Sequence, residues 1–183
     1  MKLTKTLIAT ATLIAATSTA TLAADEDNKF HGSYVGIESG IDWTKLSNDA
    51  SSDKSLYYGG VIGFRNQMDS GLVVGIEGTF GDTGYKNELT GAHANYEWSA
   101  GLTLGTVFGS DGSNLIYGKA AYVQTNFDAG TGLDNYTDKG WRFGGGYERA
   151  MSENVSLRLG ADYTTYGNEA DGWAGKAGLL FKF

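Results

Sequence analysis

The chain has 183 residues, and its 21 acidic side chains outnumber 14 basic ones, for a formal charge of −7. That balance argues against nucleic acid as a partner, since phosphate binding needs a basic face. Cysteine and proline are both absent while glycine reaches 28, which removes disulfides and thiolate metal sites and suits a chain of many paired strands.

The first segment reads as a leader. Lys2 and Lys5 form a positive start, Leu7 to Ala16 an apolar stretch, and Thr21-Leu22-Ala23 a small-x-small cleavage site. Residues 1–23 are therefore expected to be a secretory signal peptide, cut after Ala23 give or take one residue. The mature part, 24–183, then holds 12 basic and 21 acidic residues, a charge of −9. Without a cysteine after the cut, no lipid anchor is expected. The length suits one domain, and no peptidoglycan-binding module is expected at the C-terminus. No later stretch is long and apolar enough to span a bilayer as a helix.

Eight segments of alternating character follow, at 32–43, 55–65, 71–82, 94–108, 115–126, 139–149, 154–165 and 172–183. Their lengths match the roughly 9–11 residues that a tilted strand needs to cross a bilayer. The connections alternate too. Those at 66–70, 110–114 and 150–153 are short and turn-like, whereas those at 45–54, 83–93, 127–138 and 167–171 are mostly longer and polar. Short turns on one side and longer loops on the other predict an all-β, eight-stranded antiparallel up-and-down transmembrane barrel with both termini periplasmic.

Successive side chains of a strand point to opposite faces, so each segment divides into two sets. One set is apolar. It contains aliphatic residues and all four tryptophans, which sit near the strand ends that border the longer loops. Trp43, Tyr58, Phe80, Trp98, Tyr122, Trp141, Tyr163 and Trp173 are expected in an aromatic girdle facing lipid, with Phe64, Phe108, Tyr147 and Phe181 as its counterpart toward the short turns. The other set holds six acids, Glu38, Asp42, Glu77, Glu97, Glu148 and Asp162, and six bases, Arg65, Lys119, Arg142, Arg158, Lys176 and Lys182, among many glycines. An eight-stranded barrel is narrow enough to be filled by its own side chains, and buried charges must be paired. The expected lumen is plugged and salt-bridged.

The last strand, GWAGKAGLLFKF, ends the chain on Phe183. Phe181 and Leu179 precede it on the same apolar face. Such an ending resembles the C-terminal signature of Gram-negative outer-membrane barrels, so Phe183, Phe181 and Leu179 are expected to form a signal for the barrel assembly machinery. Gly145-Gly146-Tyr147-Glu148-Arg149-Ala150 and Ser156-Leu157-Arg158-Leu159 resemble the sixth and seventh strands of the OmpA barrel, and Ile116-Tyr117-Gly118-Lys119 its fifth. The mature chain thus resembles OmpA/OmpX-type eight-stranded barrels, and within them the opacity-like outer membrane proteins. The resemblance implies that Glu148, Arg158 and Lys119 point inward into a lumenal charge network. It also implies a cell outer-membrane location and contact with lipid and lipopolysaccharide.

Several segments invite a catalytic or ligand-binding reading. His31-Gly32-Ser33 resembles the His-x-Ser pair of lipid A deacylases, yet it opens the first strand near the periplasmic rim, far from the outer leaflet. His93 sits on the loop side near Asn95 and Glu97, but a palmitoyltransferase-like site also needs an N-terminal amphipathic helix, for which 24–30 is too short. Asp25-Glu26-Asp27 reads as a solvated tail. Two distant histidines without cysteine leave no expected transition-metal site. Asp111-Gly112-Ser113 lacks the acid spacing of a calcium loop and reads as a tight turn. Gly144-Gly145-Gly146 lies within a strand and makes no phosphate cradle. Lumenal carboxylates are read as ion-pair partners in preference to glycosidase acids. No catalytic residue and no cofactor is expected. The leading expectation is a non-enzymatic surface protein, structural or interacting through extracellular loops with an unidentified ligand. A small ion or solute channel is second and a lipid A-modifying enzyme third. A secreted lipocalin-like carrier needs the inverse faces, an apolar cavity inside a polar exterior.

Overall fold

The structure is a computed structural model that describes residues 28–46, 53–83, 93–128, 136–167 and 170–183. The leader expected over 1–23 lies outside the described residues, as does most of each loop-side connection. Eight strands are present: β1 (Gly32–Leu46), β2 (Asp53–Gln67), β3 (Leu72–Thr83), β4 (His93–Phe108), β5 (Asn114–Asp128), β6 (Tyr136–Ala150), β7 (Val155–Tyr166) and β8 (Ala170–Lys182). Each pairs antiparallel with its chain neighbours, and β8 closes on β1. Closure leaves no unpaired strand edge, which a barrel in hydrocarbon cannot tolerate.

All eight expected strands exist, but most run past their expected bounds on the loop side. β6 begins at Tyr136, three residues before the expected start, and β1 ends three residues later, at Leu46. The sequences there, Thr44-Lys45-Leu46 and Tyr136-Thr137-Asp138, break the apolar–polar alternation, while backbone pairing continues. In β4 the register with β5 shifts between Ala94 and Tyr96, an irregularity at the loop-side end. At the other end β8 stops at Lys182, so Phe183 lies just beyond the last strand; its N–H still donates to the Ser33 carbonyl, at 2.9 Å.

Three tight connections close the turn side, between β2 and β3, β4 and β5, and β6 and β7. The β4–β5 turn bends through Gly109 and Gly112 at φ values of 91° and 60°, which non-glycine residues rarely adopt. Asp111 in that turn accepts a hydrogen bond from the Ser113 N–H at 3.2 Å, and this bond holds its carboxyl below the usual carboxylate range.

The pairing register fixes the stagger. Starting at Phe64 in β2, cross-strand partners run through Ile76, Leu102, Ala120, Phe143, Tyr163, Trp173 and Trp43. The row then returns to β2 at Lys54, ten residues from its start. Strand number and stagger together set tilt and width. The same slope decides which inward side chains meet across the lumen.

Candidate functional site

Inward positions hold the charges, as the alternation predicts. Glu38, Arg65, Glu77, Glu97, Arg142, Glu148, Arg158, Asp162, Lys176 and Lys182 are all buried, and Lys119 sits at the centre of the same interior. Glycine makes their packing feasible. Glu38 lies opposite Gly59 and Gly178, Glu77 opposite Gly63 and Gly101, and Lys119 and Asp162 both opposite Gly144. A Cβ on Gly63 would collide with the Tyr34 ring, so that position has to lack a side chain.

Eight of these residues form one connected network. Arg158 is its hub: Nη1 reaches Glu77 at 2.6 Å and Glu38 at 3.3 Å, while Nε reaches Glu148 at 3.2 Å. Arg65 holds Glu148 from the other side at 2.9 Å. Lys119 links Glu77 (3.8 Å) to Asp162 (3.1 Å), and Lys176 completes the chain at Asp162 (3.3 Å). Four acids thus meet four bases, and the cluster is neutral when every group is ionised. A separate pair lies nearer the loop side, where Arg142 donates two parallel bonds to Glu97, at 2.7 and 2.8 Å. Thr164, Thr125 and Tyr166 saturate that pair. Two-pronged guanidinium–carboxylate contact is the strongest arrangement such a pair can adopt.

Two of the expected twelve charges stand outside this scheme. Lys182 donates to the Lys29 carbonyl at 2.7 Å instead of to a carboxylate. Asp42 forms no ion pair among the described residues. Both lie toward the ends of the lumen, Asp42 on the loop side and Lys182 on the turn side.

The interior is also less polar than the alternation predicts. Tyr34, Tyr57 and Tyr117 are buried there, and the guanidinium of Arg65 lies 4.0 Å from the Tyr34 ring centre. The Lys176 ammonium is 3.8 Å from the ring centre of Tyr57. Such cation–ring contacts supply attraction in a desolvated interior without adding charge. Tyr34 packs with Val61 and Leu180, while Phe30 packs with Val73, Leu115, Tyr117 and Ala150 at the turn-side mouth. Small voids of about 10 Å³ lie among the described residues beside Glu38, Lys119 and Asp162 and beside Arg65 and Tyr117. Each has room for about one water molecule.

The outer face is apolar and exposed around the whole circumference. Ile37 and Ile62 are each 63% exposed, Leu102 66% and Phe80 61%. Soluble proteins rarely leave a continuous apolar surface above a few hundred Å². On the loop side Trp98, Tyr122 and Trp141 form a chain of ring contacts at 5.9 and 6.1 Å, and Tyr163 meets Trp173 at 5.1 Å. Trp43 lies across from Trp173, and Tyr58 donates to Asp82 on the same outer surface. On the turn side Phe108 contacts Tyr147 at 6.2 Å, and Phe64 and Phe181 are exposed. Leu179 also faces outward, and Phe183 is 78% exposed.

A family model described as outer membrane protein beta-barrel domain matches residues 9–183. The chain belongs to that family. Among curated relatives, the 25 kDa outer-membrane immunogenic protein of Brucella ovis is 26% identical over 158 residues, covering 83% of this chain and 77% of its own length. Among solved structures, Neisserial surface protein A superposes with a TM-score of 0.61 at 18% identity, over 83% of this chain and 97% of that one. The attachment invasion locus protein Ail of Yersinia pestis gives 0.59 at 15% identity, over 84% and 99%. At such identities the two structures speak for the fold alone. Family membership places the chain among outer membrane proteins.

The two histidines lie at or just before the starts of strands. His31 packs edge-on against Phe64, with ring centres 6.1 Å apart, and Ser33 is exposed. His93 is the first residue of β4.

Proposed function

We propose that this protein is a non-enzymatic outer-membrane surface protein whose barrel is an anchor and whose loops make the outside contacts. The observation that supports this most directly is the filled lumen. An eight-residue ion-pair network, a bidentate pair and two apolar clusters occupy the space through which a solute would pass. Carboxylates locked by cations in this way have lost the freedom that proton transfer requires, which speaks against catalysis in the barrel. The Brucella relative is named as immunogenic, and an accessible surface on this chain fits that name. The short turns share an end with Phe30 and Phe183, consistent with both termini being periplasmic and the longer connections extracellular.

In this reading the outward belt meets lipid and the loop-side aromatic ring meets the lipopolysaccharide leaflet. Brominated lipids of graded depth should quench Trp43, Trp98, Trp141 and Trp173 most strongly when the bromine lies near the interface. Quenching that peaks at the bilayer centre, or is absent, would invert the face assignment. Channel activity is the second reading. Single-channel recording in planar bilayers should show no steady open state for the native protein. A stable ohmic conductance would replace the anchor reading with the channel one.

A further inference from the structure

The segment that precedes β1 belongs to no strand, yet it is among the most constrained parts of the molecule. Phe30 is 1% exposed and fills the turn-side mouth against Val73 and Leu115. Its N–H donates to Gln67 Oε1 at 3.0 Å, at the end of β2. The neighbouring Lys29 spans the opening. Its carbonyl accepts from Lys182 at the end of β8, while its ammonium donates to the Asp111 carbonyl at 2.7 Å and to Ser113 Oγ at 2.8 Å in the β4–β5 turn. In an eight-stranded ring, the β4–β5 turn lies across the diameter from the β8–β1 seam. Gly32 makes the inward bend possible. Its φ is +104°, and a Cβ there would come 2.6 Å from the Phe183 carbonyl oxygen.

We propose that residues 29–32 form a stopper and strut that seals the turn-side mouth and ties the closing seam to the opposite wall. A strand start that merely frayed into solvent would have no use for a buried aromatic or a lysine bonded across the barrel. Sealing serves the ion-pair network directly, because charges shielded from water attract one another more strongly. The strut also depends on closure. Lys182 and Phe183 reach their partners only once β8 lies beside β1, so the stopper seats last, after the ring is complete.

The absence of cysteine gives a clean test with a charged, water-soluble thiol reagent. In protein extracted from membranes into detergent, Val73→Cys reports the space behind Phe30 and Val123→Cys reports the buried loop-side half. Both should label slowly in the otherwise native chain. With Phe30→Ala added, the Val73→Cys thiol should label about tenfold faster or more, because opening the mouth no longer exposes a packed aromatic, while Val123→Cys stays slow. Lys29→Met keeps the aromatic and removes only the strut donors, so it decides the matter if Phe30→Ala does not fold; it should give a smaller rise confined to Val73→Cys. Unchanged labelling at Val73→Cys in these backgrounds overturns the proposal. So does an equal rise at both thiols, which would mean that the barrel as a whole has loosened.

Discussion

Arg158→Ala is expected to destabilise the barrel by about 3–5 kcal/mol, the cost of stranding buried charge. Three carboxylates converge on this guanidinium, and they do not lose equally. Glu148 keeps Arg65 at 2.9 Å, and Glu77 keeps Lys119 at 3.8 Å. Glu38 has no second ion-pair partner among the described residues, and its Oε2 already makes no hydrogen bond. The penalty should therefore fall mostly on Glu38. Adding Glu38→Gln to Arg158→Ala should recover a large part of the loss, while adding Glu148→Gln should recover little because that change strands Arg65. Urea unfolding in lipid vesicles, read by tryptophan fluorescence, measures all of these variants. An Arg158→Ala effect near zero would mean that water enters the lumen freely and solvates the freed carboxylates. That result would favour the conducting reading over the anchor.

The strands and their faces were legible because a period of two needs only local sequence. Trp141 and Trp173 of one parity are exposed, and ten of the twelve charges of the other are buried. The partners within the lumen were only partly legible. Glu148 and Arg158 could be matched, since they are direct neighbours across the β6–β7 hairpin. Arg158 and Glu77 could not, being 81 residues apart and joined only by the ten-residue stagger of the closed ring. The inward tyrosines are hard to read for a different reason. Tyr34, Tyr57 and Tyr117 sit on the polar parity, but aromatic residues in such a chain read first as interfacial girdle. Phe30 gave no periodic signal, because it precedes the first strand. Its one local hint was a large apolar residue two positions before a glycine, after a run of acids.

Deletion of Phe183 is expected to reduce outer-membrane insertion severely in cells while leaving the purified protein able to refold in detergent. The side chain is 78% exposed, so its removal forfeits little packing within the barrel. The backbone loses one hydrogen bond, from the Phe183 N–H to the Ser33 carbonyl, worth about 1 kcal/mol. The remainder of the β1–β8 seam, from Tyr34 opposite Lys182 to Leu46 opposite Ala170, stays paired. A closed ring with so much of its seam intact should survive the loss thermodynamically. Phe183 instead projects outward at the end of a strand whose Phe181 and Leu179 face the same way, an arrangement suited to recognition by the assembly machinery before the ring has closed. If recognition requires an aromatic terminus, Phe183→Ala should behave like the deletion and Phe183→Trp should insert nearly as well as the native chain. Membrane fractionation at native expression levels, set beside refolding yield in detergent, separates the two effects. Normal insertion of the deletion variant would remove the recognition role, and failure of both insertion and refolding would assign Phe183 to the stability of the seam.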